Sequence, residues 1–112
     1  MVDIFKALAE ESRLRILALL IHDEMCVCEI EACLKMTQSN VSRHLTVLKN
    51  SGIVESYKQA QWTNHKISNK FKKENQNLWL YLVEKLKALP SYQMDLEECQ
   101  KCKRQDLCNV RT

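Results

Sequence analysis

At 112 residues, with 46% hydrophobic and 28% charged side chains, the chain has room for one ordinary globular domain and is not built to be disordered. A single Gly and a single Pro leave few tight turns and favour helix, while no apolar run is long enough to span a membrane. The first residues lack the basic-then-apolar order of a signal peptide, so a cytoplasmic location is expected.

The net charge of +3 is modest, but it is concentrated. Residues 1–36 carry a net −3, residues 37–73 a net +6, and residues 74–112 balance. The middle third therefore has the charge of a polyanion-binding face. Six cysteines fall into two groups, Cys26/Cys28/Cys33 and Cys99/Cys102/Cys108. Without a signal peptide, reduced thiols with a metal or redox role fit better than a disulfide framework.

In chain order, Ile4, Phe5 and Leu8 predict a short amphipathic helix, and Ser12 is the expected N-cap of a second, with Leu14, Leu17 and Leu20 at helical spacing. Ile30, Cys33 and Leu34 mark a third helix ending near Met36. Thr37 should cap a fourth, whose inner face is Val41, Leu45 and Leu48, and Gly52 should end it. From Ile53 the pattern turns β-prone over 53–57 and 62–67, a hairpin with no Gly in its turn. A long last helix follows, with Leu78, Leu82, Leu86 and Leu89 on one stripe and Pro90 as its end. The expected fold is mainly α with a small β-hairpin, a winged helix-turn-helix of order α-α-α-α-β-β-α. Residues 1–90 form its domain, and 91–112 form a polar, cysteine-bearing tail.

The third and fourth helices read as a helix-turn-helix and the hairpin as a wing. The fourth helix would enter the major groove with Gln38, Ser39, Asn40, Ser42 and Arg43 outward. Gln and Asn suit adenine, Arg suits guanine, and Ser reaches base or phosphate. Lys58, Lys66 and Lys70, in the wing and at its exit, suit phosphate.

Three motifs carry a resemblance. Phe5-Lys6-Ala7-Leu8-Ala9-Glu10-Glu11-Ser12-Arg13-Leu14-Arg15-Ile16-Leu17 resembles the opening of the arsenic-repressor (ArsR/SmtB) family of winged-helix regulators. Thr37-Gln38-Ser39-Asn40-Val41-Ser42-Arg43-His44-Leu45, with Leu48 and Gly52-Ile53-Val54, is similar to that family's recognition helix and exit. Cys26-Val27-Cys28-Glu29-Ile30 resembles the Cys-Val-Cys box of its arsenic, antimony, cadmium and lead sensors. The likeness spans roughly residues 2–90. It implies a homodimer joined through the first and last helices, bound to double-stranded operator DNA and released by ligand. The wing lacks the family's usual Gly and Arg, and the last helix lacks the His/Asp pattern of the zinc and nickel sensors. His65 then reads as a wing surface residue, and His44 and His22 as ordinary helix and loop residues.

Soft thiolates select thiophilic ions, and trivalent arsenic or antimony takes three in a pyramid. Cys26 and Cys28 are the first candidates. On a regular helix they lie about 200° apart, so gripping one ion would require extended or unwound backbone. Ligation would then strain the helix-turn-helix. The family's further cysteine is replaced by Glu31, and Cys33, sharing the stripe of Ile30 and Leu34, reads as a core residue. Cys99, Cys102 and Cys108 are candidates for a third ligand or for a second site. No organic cofactor and no catalytic site are expected. The alternatives are a repressor of the same fold that senses oxidation through low-pKa cysteines, persulfide or an iron–sulfur cluster, and a metal-buffering protein that does not bind DNA.

Overall fold

The computed structural model describes the backbone of residues 1–105 and side chains as far as Lys101. Its elements are α1 (Val2–Leu8), α2 (Glu11–His22), β1 (Met25–Cys26), α3 (Val27–Leu34), α4 (Gln38–Asn50), β2 (Val54–Gln59), β3 (Trp62–Ile67), α5 (Asn69–Glu74), α6 (Gln76–Lys87) and α7 (Tyr92–Gln105). The winged helix-turn-helix is present, enlarged by one short strand and by two helices, α5 and α7.

At the centre lies α2. Its residues Ile16 to Leu20 are all buried, so the helix is covered on nearly every side rather than along one stripe. Its N-cap is Glu10, not Ser12: the carboxylate accepts the amides of Ser12 and Arg13, both at 3.2 Å. Around it close α3, α4, the sheet and α6, with Met25, Ile30, Val41, Leu45, Leu48 and Ile53 fully enclosed. Thr37 caps α4 as expected, accepting the Asn40 amide at 3.2 Å.

The hairpin pairs Val54 with Ile67 through to Gln59 with Trp62, leaving a two-residue turn at Ala60 and Gln61. Ala60 supplies the positive φ (58°) that hairpins usually obtain from Gly. Strand β1 adds to the other edge of β3, with Met25 opposite His65 and Cys26 opposite Asn64. The sheet order is thus β1-β3-β2. Two residues are too short to show any period, and β1 escaped the sequence reading for that reason.

The expected long last helix is divided. Asn75, at φ −134°, breaks it between α5 and α6, while Phe71 from α5 inserts into the core edge-on to Trp79 at 6.3 Å. Beyond Pro90, residues expected as a polar tail form α7, which packs on α3 and α2. Tyr92, Leu96 and Cys99, at i, i+4 and i+7, face the core. Asp95 beside them accepts two hydrogen bonds from Arg15, Nε at 3.0 Å and Nη2 at 2.8 Å. No helix among the described residues is long and apolar enough to cross a membrane.

Candidate nucleic-acid face and thiol centre

On α4 the apolar side is seated by Val41, Leu45 and Leu48, and the opposite side is polar. Gln38, Ser39, Arg43 and Thr46 are exposed there, and Asn40 and Ser42 are half-buried beside them. Asn40 Oδ1 accepts from Arg43 Nη2 at 2.9 Å, which orients the guanidinium along the helix. Lys58 and Lys70 are exposed, whereas Lys66 is half-buried and faces Glu55 across the hairpin at 3.5 Å.

His44 also lies on the inner side of α4. Arg13 donates through Nη1 to its Nδ1 at 3.2 Å, and donates to the Ala7 carbonyl at 2.7 Å and to that of Lys6 at 3.3 Å. A guanidinium only donates, so Nδ1 must be the acceptor and the ring is neutral. Burial holds its pKa below the usual histidine value, against the pull of Glu10. This contact ties the reading helix to the corner between α1 and α2.

His65 is not a surface residue of the wing. It is 5% exposed in the central strand, and its Nδ1 has no hydrogen-bond partner among the described residues. Burial lowers its pKa, and the Lys49 charge lowers it further. The surface expectation followed from a two-stranded hairpin. Strand β1, paired to the other edge of β3, makes β3 the central strand of the sheet.

At the head of α3, Cys26 ends β1 with extended backbone (φ −88°, ψ 169°) and is the residue before the first helical turn, while Cys28 lies within that turn. Both are buried, and their sulfurs are 3.0 Å apart. The two sulfurs therefore converge without unwinding the helix, and the expected helix strain has no geometric basis. The Cys26 amide donates to Glu29 Oε1 at 3.1 Å, completing a capping box. Burial pushes the Cys26 thiol up, and the nearby Glu29 charge adds to the rise. A low-pKa thiol, expected for oxidant sensing, is thus not found at this position. Cys28 is disulfide-bonded.

Cys33 is buried in the core beside Ile30 and Leu34. Cys99, from α7, is 2% exposed in the same core cluster. The backbone of Cys102 lies in α7 one turn beyond Cys99, and Cys108 lies outside the described residues. Among the described residues no three His, Cys, Asp or Glu side chains form a metal-holding group. Two convergent sulfurs suit a thiophilic ion, and a third donor would come from elsewhere. Sequence reasoning missed the docking of α7, although the spacing of Tyr92, Leu96 and Cys99 carried the signal.

Residues 10–56, from the cap of α2 into β2, match the family described as bacterial regulatory protein, arsR family. An uncharacterised HTH-type transcriptional regulator of Methanocaldococcus jannaschii is 46% identical over 61 residues, 54% of this chain and 68% of that protein. The chain belongs to the arsR family. The arsenical resistance operon repressor of Escherichia coli (strain K12) is 40% identical over 68 residues, 60% of this chain and 58% of the relative. This arsR-family chain thus spans between half and three-fifths of the length of the arsenic regulators it matches. Among solved structures, HlyU from Vibrio cholerae superposes with a TM-score of 0.61 at 36% identity, over 72% of this chain and 88% of that one. The homodimeric winged helix-turn-helix domain of a possible ArsR-family regulator from Mycobacterium bovis gives 0.63 at 27%, over 80% and 83%.

Proposed function

We propose that this arsR-family chain is a homodimeric, cytoplasmic repressor of transcription, not an enzyme. In this reading it leaves double-stranded operator DNA when a thiophilic ion binds its cysteines. Trivalent arsenic or antimony is favoured, with cadmium and lead next. The observation that carries the reading is the pair of buried sulfurs 3.0 Å apart at the head of the helix-turn-helix. Relatedness to an arsenical resistance repressor supports the choice of ion.

The DNA side rests on the polar face of α4 and on the local net charge of +6 over residues 37–73. Arg43 and Gln38 reach base edges, Ser39 and Ser42 reach base or phosphate, and Lys58 and Lys70 hold phosphate. Lys66 joins them only by exchanging its pairing with Glu55 for the DNA backbone. The dimer rests on apolar side chains left outside the core: Val2 and Phe5 on α1, and Leu80 (65% exposed) and Tyr81 (57% exposed) on α6. The homodimeric neighbour is consistent with this pairing.

At the thiol centre the two cysteines supply paired soft donors, and their burial excludes water from the bonds they make. Cys99, Cys102 and Cys108 are the candidates for the third sulfur, and the first two belong to α7, the helix that packs on α3. Glu29 fixes the Cys26 backbone, and binding requires loss of the thiol protons. The test is a titration of the reduced protein with arsenite, followed by arsenic–sulfur charge-transfer absorbance. One ion per chain is expected, lost in Cys26→Ser and in Cys28→Ser and weakened in Cys102→Ser. An undiminished band in both Cys26→Ser and Cys28→Ser contradicts the reading.

The disulfide at Cys28 favours one second reading, a repressor switched by thiol oxidation. Operator binding that changes with peroxide but not with anaerobic arsenite selects it.

A further inference from the structure

The Cys26–Cys28 sulfur pair borders a cavity of about 190 Å³ whose other walls belong to both elements proposed to face DNA. Val27 and Glu31 of α3 stand next to the cysteines, Gln38 closes the cavity from the first turn of α4, and Trp62 with its neighbours closes it from the wing turn. The backbone joins the same parts: Cys26 pairs with Asn64 across β1 and β3, two residues from Trp62.

These walls differ in what it takes to move them. The Cys26 main chain is fixed by that strand pairing and by the Glu29 carboxylate. Helix α4 is seated by Val41, Leu45 and Leu48 and tied by His44 to Arg13. The wing turn is held only within the hairpin, by the Gln59–Trp62 pairing and by Asn64 Nδ2 donating to Gln59 Oε1 at 2.9 Å; Gln59, Ala60, Gln61 and Thr63 are exposed, and Ala60 is in a left-handed conformation. A change at the sulfurs is therefore transmitted most cheaply to the wing.

We propose that Trp62 is the positioning residue through which occupancy of the Cys26–Cys28 centre reaches the DNA. An ion held by the two sulfurs, with its third donor from α7, takes up room at the cavity wall, moves the Trp62 side chain, and with it re-aims the wing that carries Lys58. A thiol reductant first opens the Cys28 disulfide, gaining a disulfide of its own as Cys28 gains its thiol. Arsenite binding then involves no further redox change, each As–S bond replacing an As–OH bond and each thiol proton leaving with hydroxide as water. The inference rests on the reading of the thiol pair as an ion site.

The experiment uses the reduced full chain. In a Trp79→Phe variant Trp62 is the sole indole of the chain. Its emission is expected to change in one step that tracks the arsenic–sulfur absorbance. Trp62→Ala should bind arsenite and operator each within about threefold of the parent, yet show about tenfold weaker operator release by arsenite, with Trp62→Phe restoring it. Full release by Trp62→Ala, or an emission that stays constant while the absorbance band forms, overturns the inference. If Trp62→Ala does not fold, the emission titration alone decides. Absence of the absorbance band overturns the ion-site reading itself, and this inference with it.

Discussion

Helices α4 and α7 present the same spacing to the core and are held in different ways. Val41, Leu45 and Leu48 of α4 are fully enclosed, and their helix is tied at its middle by His44 and at its start by the Thr37 cap. Tyr92 and Leu96 of α7 are only half-buried, so Cys99, the Arg15–Asp95 pair and the Lys35–Glu98 pair at 3.9 Å hold the rest. A reading head must keep its geometry when it meets DNA, and α4 is seated for that. In the proposed reading α7 brings a thiol to the centre and must accommodate an ion, and a narrow stripe with two ion pairs allows it.

The largest effect should come from removing the seat of α4. Leu48→Ala should cost about 3 kcal/mol in urea unfolding, from lost burial and the cavity left behind. Breaking the attachment of α7 should cost less. Asp95→Ala leaves Arg15, which is 28% exposed on its side chain, without its two bonds. We expect about 2 kcal/mol, smaller than for a fully enclosed pair. The two variants also separate the regions by function. Asp95→Ala should weaken arsenite binding while operator binding persists. Equal losses of operator affinity in both would erase the distinction between the helices.

A pH series sharpens the comparison from the side of the sheet. His65 has its folded pKa lowered by burial and by Lys49, so the unfolded chain binds its proton more readily. Its contribution to stability is complete above the unfolded value of about 6.5 and is lost as pH falls below it. His44, also lowered by burial, acts in the same direction. Unfolding midpoints should therefore drop between pH 7.5 and pH 5.5, and His65→Gln should flatten part of that slope. A slope unchanged in His65→Gln would remove the buried ring from the account. The smallest effect is expected at the wing turn. Ala60→Gly relieves the positive φ and should stabilise the hairpin by at most about 1 kcal/mol.

What the sequence disclosed follows the length of each signal. Thr37, Val41, Leu45 and Leu48 repeat over a whole helix, so α4 and its polar face were legible residue by residue. Cys26 and Cys28 were legible as a thiol pair from residue type. Their convergence was not, because it depends on Cys26 standing one residue before the helix, in a strand of two residues. The same unseen strand hid the burial of His65. For α7 the stripe was present but sparse, with Glu97, Glu98 and Lys101 between and after its apolar positions. The partner of Asp95 is Arg15, 80 residues away, a distance over which local pattern carries no information.

In the proposed function the sulfurs at the head of α3 govern DNA binding. Its most direct test is operator release against arsenite concentration under anaerobic, reducing conditions, for the parent and the Cys26→Ser, Cys28→Ser and Cys33→Ser variants. All four should bind operator without arsenite, and the parent and Cys33→Ser should be released while Cys26→Ser and Cys28→Ser are not. Release of Cys26→Ser and Cys28→Ser at the parent's arsenite concentration would contradict the proposed function.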